Sequence, residues 1–307
     1  MNTKSNDNKQ SSVIAQEHYI IGSVTSKDGT TIGYRQLGHG PGIVLVQGAM
    51  GSAHNFMQLA EQLADTFTVY LPDRRGRGLS RLPYSKDYSI QKDVEDLDAL
   101  LAKTGTNYVF GLSSGAIISL QAALTLPTIH KAAIYEPPLF LNNSETTAFV
   151  TRFEQEIAQE KVAAALITAM KGAQMGPPIL NIIPRWLLES LTNRVIEGED
   201  KKGSGEYLPM RELASALQYD FEIVAEISGK LERFRDVQAE VLLLGGSKSP
   251  TYLKVALGAL EKVLPYVTRT EFPGLGHAAA WNYDKQRNPD GKPEAVAQEL
   301  HRFFVEP

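Results

Sequence analysis

Tyr108-Val109-Phe110-Gly111-Leu112-Ser113-Ser114-Gly115-Ala116 decides how this chain is read. A short apolar run of strand type leads into a G-x-S-x-G turn, and a helical pattern follows over Ala116–Leu126. Glycines at those two positions permit a turn in which neighbouring backbones come closer than a Cβ allows. Such a turn lifts the Ser113 hydroxyl above the C-terminal edge of a sheet, with a helix N-terminus beneath it that favours developing negative charge. The bare pattern is short enough to arise by chance in a glycine turn carrying a structural serine. Its strand–turn–helix setting is what makes Ser113 a candidate nucleophile.

The same alternation extends outward on both sides. Strand-like runs fall at Tyr19–Ser26, Thr31–Leu37, Ile43–Val46, Phe67–Leu71, Tyr108–Phe110 and Lys131–Tyr135, with helical patterns at Phe56–Ala64, Ser89–Lys103 and Ala116–Leu126. Lys27-Asp28-Gly29 between the first two runs predicts a hairpin. Ile43–Val46 is wholly apolar, as expected of a strand buried on both faces of a parallel sheet. The rhythm stops after Pro137-Pro138. Residues 139–235 contain helical patterns such as Phe149–Met170, a charged glycine-bearing loop at Asp200–Gly205, and no strand signal. It resumes with Val241–Leu244, Tyr252–Leu264, Thr268–Phe272 and Glu294–Phe304. This predicts an α/β fold with a mostly parallel central sheet flanked by helices, its core at 18–138 and 236–307 interrupted by a helical insertion at 139–235. Residues 1–17 read as a disordered leader.

Composition narrows the function. With 307 residues and 43% hydrophobic content, the chain can bury a sizeable core. Its net charge of −4 lacks the basic footprint of a nucleic-acid binder. Zero cysteines exclude disulfides, thiolate metal sites and a cysteine nucleophile. No apolar run approaches the ~18 residues a transmembrane helix requires, and the polar N-terminus is not a secretion signal. Asn142-Asn143-Ser144 matches a glycosylation pattern, which without export is chance. The expectation is a cytoplasmic protein with a small-molecule substrate, no metal or organic cofactor, no nucleic-acid or membrane partner, and a homodimer as an open option.

A serine nucleophile needs a base. His277, in Phe272-Pro273-Gly274-Leu275-Gly276-His277, lies just past the last strand, where parallel-sheet proteins carry catalytic groups. The other five histidines sit at the leader's end, in a glycine-rich turn, at a helix start, before a strand and in the last helix. For an oxyanion, the Ser114 N–H is one donor by position. The loop Gln47-Gly48-Ala49-Met50-Gly51 offers the Ala49 N–H as the second.

On these motifs, together with Leu71-Pro72-Asp73-Arg74-Arg75-Gly76-Arg77-Gly78-Leu79-Ser80, the chain resembles the α/β-hydrolase superfamily. The likeness runs from about Tyr19 to Val305 and points to the branch with a helical cap after the sixth core strand. The Asp73–Ser80 stretch looks like the family's D-x-R-G-x-G-x-S turn. Its arginines (Arg74, Arg75, Arg77 and Arg81) read as structural, with phosphate binding as the alternative. Two departures stand out. The oxyanion loop reads Gln-Gly where the family usually has His-Gly. The loop after the seventh strand, Leu244-Gly245-Gly246-Ser247-Lys248-Ser249-Pro250, lacks the family's usual Asp.

Some members place the acid at the end of the sixth strand, which here is Glu136 in Tyr135-Glu136-Pro137. Asp220 is the second candidate and Asp284 the third. In the insertion, Met170, Met175, Leu180, Ile183, Trp186, Leu187 and Leu191, with Pro177, Pro178 and Pro184, read as a pocket roof. Met50, Trp186 and Trp281 are taken as substrate-binding. The function these residues imply is a serine hydrolase of esters or lactones of small, fairly apolar substrates, with Ser113 as nucleophile, His277 as base and Glu136 as orienting acid. A carbon–carbon bond hydrolase on the same residues, a receptor-like member with little turnover, and a cofactor-free oxygenase or lyase remain open. Dehalogenase and epoxide hydrolase chemistry is disfavoured, because those relatives carry Asp at the position of Ser113.

Overall fold

The computed structural model describes residues 19–140, 147–174 and 182–306. The expected leader, the Asn142-Asn143-Ser144 pattern, and Met175, Pro177, Pro178 and Leu180 lie outside the described residues. Among the described residues eight strands form one sheet: β1 (Ile20–Thr25), β2 (Thr31–Gly38), β3 (Gly42–Val46), β4 (Thr68–Pro72), β5 (Tyr108–Leu112), β6 (Lys131–Tyr135), β7 (Glu240–Gly246) and β8 (Val267–Phe272). Their spatial order is β1-β2-β4-β3-β5-β6-β7-β8. The first two pairings are antiparallel and all later ones parallel. The β1–β2 hairpin closes through Ser26 N–H to Thr30 O at 2.8 Å, with Gly29 at φ 87° in the turn.

The apolar strands are buried on both faces, as their unbroken hydrophobicity requires. Val44, Val46, Val109, Ile134 and Leu243 point to one layer, and Ile43, Leu45, Phe110, Tyr135 and Leu244 to the other. The first layer is covered by α2 (Ile90–Thr104), α3 (Ser114–Thr125) and α8 (Thr251–Val263). The second is covered by α1 (Met57–Leu63) and α9 (Pro293–Val305). Helix α2 ends as its sequence directs, on Gly105 in the left-handed region with its N–H on Leu101 O at 2.9 Å.

Among the described residues, four α-helices and a short 3-10 turn at Leu231–Asp236 lie between β6 and β7: α4 (Thr147–Ala158), α5 (Val162–Gly172), α6 (Arg185–Lys202) and α7 (Met210–Ile227). The pattern expected as one helix over Phe149–Met170 is broken at Glu160, which takes φ 58°. The loop expected at Asp200–Gly205 starts later, because α6 continues through Lys202 and stops at Gly203, φ 78°. Phe153, Ala165, Ala169 and Leu217 make a small apolar cluster of the inserted helices, and Ala49 and Met50 pack against it from the sheet side. No described helix is long and apolar enough to cross a membrane.

Helix α3 lies so close to β3 that a Cβ on Gly115 would stand 2.3 Å from the Val46 carbonyl oxygen and 2.6 Å from that of Gln47. Both obstacles are backbone and cannot rotate away. Gly115→Ala should therefore cost about 1–3 kcal/mol in urea unfolding, the range for overpacking a tight interior. A variant as stable as the wild type would contradict this packing.

Candidate active site

Ser113 is the single residue between β5 and α3, and its backbone sits at φ 58°, ψ −125°. Such a torsion is strained for any residue with a Cβ and persists only where the surroundings impose it. Here the Ser113 N–H donates to Tyr135 O at 2.9 Å, and its carbonyl accepts from Ala116 N–H at 2.9 Å and Ile117 N–H at 3.2 Å. A Cβ on Gly111 would meet the Gly115 carbonyl oxygen at 2.3 Å, so the turn closes only with glycine there. The elbow expected from the sequence is thus present in the strand–turn–helix form its chemistry requires.

His277 follows β8 in a loop tied down on two sides. Lys248 N–H donates to Leu275 O at 2.8 Å, and the Tyr135 hydroxyl donates to Gly276 O at 2.9 Å. Burial, with the neighbouring Glu136 carboxylate, raises the Tyr135 phenol well above its ordinary range, so it remains a donor there. Glu136, immediately after β6, is fully buried at φ 46°. Its Oε2 lies 2.7 Å from His277 Nδ1 and its Oε1 accepts the Gly246 N–H at 2.6 Å. An ionised carboxylate can only accept, so this contact suits the imidazole tautomer that carries its proton on Nδ1 and leaves Nε2 unprotonated. The end of β7, which lacks an acid, contributes that bracing amide instead. A Cβ on Gly245 would come within 3.0 Å of Glu136 Oε1, so glycine leaves the carboxylate room.

Ser113 and His277 line one cavity of about 470 Å³, together with Ala49, Met50, Ser114 and Trp281. Met50 adds a third strained non-glycine backbone, at φ 57°. Of the expected roof, Met170 faces this cavity, joined from α5 and α7 by Leu166, Leu217 and Phe221. Trp186 is corrected: it is 70% exposed and absent from the cavity wall. Helix α6 buries Leu188 and Ile196 instead, which turns Trp186 and Leu191 outward. The α7 contribution is not among the residues the sequence singles out, although Leu213, Leu217 and Val224 keep helical spacing on one side of that helix. Gln47 is fully buried, and neither carboxamide atom has a hydrogen-bond partner. Among the described residues no group of three or more His, Cys, Asp or Glu side chains could hold a metal ion.

The arginine-rich turn after β4 is structural. Asp73 accepts from Ala53 N–H, Leu79 N–H and Arg35, at 2.8, 3.0 and 2.9 Å. Arg75 is held by Asp96 and Asp28, and Arg81 by Glu212. Arg74 and Arg77 both meet Asp220, at 2.7 and 3.0 Å. All four guanidinium groups face protein carboxylates, which leaves the phosphate alternative without a free cation in this turn. The same contacts correct Asp220 as an acid candidate, since its oxygens are engaged by Arg74, Arg77 and Ser114. Asp284 is corrected too, because it accepts the Gln286 and Arg287 N–H groups in its own turn, and those bonds lower its carboxyl.

Burial opposes ionisation of Asp220, but Arg77 and Arg74 outweigh it and hold the carboxyl below its usual range. A lowered folded-state pKa supplies stability that is present above the unfolded value, about 3.9, and is lost as pH falls through the folded one. The stability gap between the wild type and Asp220→Asn should thus be full at pH 7 and shrink steadily below about pH 4 in urea melts. A gap constant from pH 7 to pH 2 would contradict the ion pairing.

The model of the Alpha/beta hydrolase family matches residues 43–299. An uncharacterized hydrolase of Bacillus subtilis, YraK, is 39% identical over 115 residues, 36% of this chain and 42% of that relative, so the match spans less than half of its length. The 2-(acetamidomethylene)succinate hydrolase of Mesorhizobium japonicum is 25% identical over 277 residues, 86% of this chain and 91% of that protein. Among solved structures, an alpha/beta hydrolase from Sphaerobacter thermophilus superposes with a TM-score of 0.73 at 28% identity, covering 92% of this chain and 100% of that one. With an eight-stranded, mostly parallel sheet, a strained serine elbow after β5 and a family match reaching from β3 into α9, the chain belongs to the alpha/beta hydrolase family.

Proposed function

We propose that the protein is a serine hydrolase that cleaves an ester or lactone of a small, apolar substrate through an acyl-serine intermediate. The observation that carries this reading is the 2.7 Å contact between His277 Nδ1 and the buried Glu136 carboxylate, on the wall of a cavity shared with Ser113. Ser113 Oγ attacks the carbonyl carbon while His277 Nε2 takes its proton. The Ala49 and Ser114 N–H groups stabilise the oxyanion, an electrostatic contribution that is usually the largest single one. His277 then gives its proton to the departing alcohol. Water, deprotonated by the same nitrogen, attacks the acyl group, the Ser113 ester bond breaks, and the imidazolium returns its proton to Ser113 Oγ as the acid leaves. Glu136 holds the imidazole in the required tautomer and stabilises the imidazolium as it forms.

The substrate class rests on the lining. Residues 139–235 act in this reading as a cap whose helices α5 and α7 contribute Leu166, Met170, Leu217 and Phe221 to the cavity. Among the described lining residues Asp220 is the one carboxylate, and it is already neutralised by two arginines. No described Lys or Arg lines the space to meet a carboxylate such as those of the succinate in the relative's name. Neutral acyl groups are therefore favoured.

Intact-mass spectrometry after fluorophosphonate treatment tests the nucleophile: one adduct on the wild type and none on Ser113→Ala is expected. An adduct on both would place the reactive hydroxyl elsewhere. Glu136→Gln keeps the side chain's shape but removes its charge and presents a competing donor to Nδ1. Its kcat for p-nitrophenyl butyrate should fall roughly 10²–10⁴-fold, with the thermal midpoint little changed. Wild-type turnover in that variant would remove Glu136 from the mechanism.

A further inference from the structure

Two guanidinium groups lie beneath the loop after β3, and both are buried: Arg74 is 5% exposed and Arg77 not at all. Arg77 donates through Nη1 to the carbonyls of Gly48 at 3.3 Å and Gly51 at 3.1 Å. Arg74 donates through Nη1 to the carbonyl of Gln47 at 3.2 Å. Three carbonyls of the loop that carries Ala49 are thus held from below by cations. Both cations are held in turn by Asp220, delivered from the inserted helix α7. Its Oδ1 lies 2.7 Å from Arg74 Nη1 and its Oδ2 3.0 Å from Arg77 Nη2. The Ser114 hydroxyl donates to the same Oδ1 at 2.6 Å.

The Gly48 carbonyl and the Ala49 N–H belong to one peptide unit. No described peptide bond is cis, so that unit is planar and trans, and its N–H points away from its carbonyl. By holding the Gly48 oxygen in the buried cluster, Arg77 turns the Ala49 N–H away from that cluster. Ala49 lines the cavity in which Ser113 stands. The second amide, that of Ser114, belongs to a residue whose own hydroxyl is fastened to Asp220. We infer that Asp220 is a positioning residue that aligns both oxyanion donors, acting on Ala49 through Arg77 and on Ser114 through its hydroxyl. The inference rests on the serine-hydrolase reading and extends it: the inserted segment then has a part in stabilising the transition state as well as in shaping the substrate pocket. Stability alone is a weak reason for such a cluster, because buried ion pairs can often be replaced by apolar packing without loss.

The test compares the wild type, Asp220→Asn and Ser114→Ala by rate of fluorophosphonate labelling of the folded protein, by kcat and KM for p-nitrophenyl butyrate, and by thermal midpoint. In Asp220→Asn the labelling rate and kcat should both fall about 10- to 100-fold with KM within about twofold, the signature of a displaced oxyanion donor. Ser114→Ala keeps the backbone amide and loses only the hydroxyl's anchor. It should remain folded, with a modestly lowered thermal midpoint, and label about 3- to 10-fold more slowly, which decides the matter if Asp220→Asn does not fold. A folded Asp220→Asn with a lowered midpoint but wild-type labelling and kcat would overturn the inference, as would wild-type labelling of Ser114→Ala. A wild-type protein that takes no adduct would overturn the serine-hydrolase reading itself, and this inference with it.

Discussion

Three backbone segments approach one another here more closely than a Cβ permits. The end of β3, the elbow between β5 and α3, and the first turn of α3 meet at Gly48, Gly111 and Gly115. Added side-chain atoms at those positions would fall 2.3–2.7 Å from Ser113 or from neighbouring carbonyls. That contact forces Ser113 out of the ordinary torsional regions and sets its hydroxyl beside Gly48. Strain of this kind costs on the order of 1–3 kcal/mol per residue and survives only because the sheet hydrogen bonds and the α3 turn over-determine it. Glu136 and Met50, in the loops that follow β6 and β3, also take positive φ, so three of the five described non-glycine residues with positive φ stand at this site, the other two being Glu160 and Gln174 in the inserted segment.

Two buried carboxylates flank that cavity, and their partners make them different. Isolated, either would be costly to bury. Glu136 is satisfied by one backbone amide and one imidazole. Asp220 is satisfied by two permanent cations and a hydroxyl, which fixes its charge. Topology decides which of the two meets His277. In the sheet order β6-β7-β8, the loop after β8 must pass over the end of β7 to reach the end of β6. It can do so because β7 ends in Gly245-Gly246, where a side chain would collide with Glu136 or with the Leu275 carbonyl.

The arginine-rich turn after β4 links this chemistry to the rest of the molecule. Arg75 ties it to the β1–β2 hairpin and to α2 through Asp28 and Asp96. Arg74 and Arg77 tie it to the inserted helices and to the loop after β3. A shift of α7 therefore acts on the floor of the cavity through short, buried, charged contacts, whose geometry is far less forgiving than apolar packing.

The strand–turn–helix around Ser113, the loop bearing His277 and the βα rhythm were legible in the chain because each is encoded locally: an apolar period, a pair of glycines, a turn at the end of a strand. The helical nature of the insertion was legible for the same reason. Which face each inserted helix turns inward was not. Trp186 reads as a pocket residue, yet α6 buries Leu188 and Ile196 and leaves it in solvent. Glu136 and Asp220 looked like rivals for one histidine because a carboxylate carries no record of its partner in its neighbours along the chain. Their partners lie 141 residues away for Glu136, and 146 and 143 residues away for Asp220. Local hydrogen-bonding geometry and hydrophobic period thus determined the elements and the elbow. Pairing of buried charge depends on which segments the sheet order brings together, and only the tertiary structure decided it.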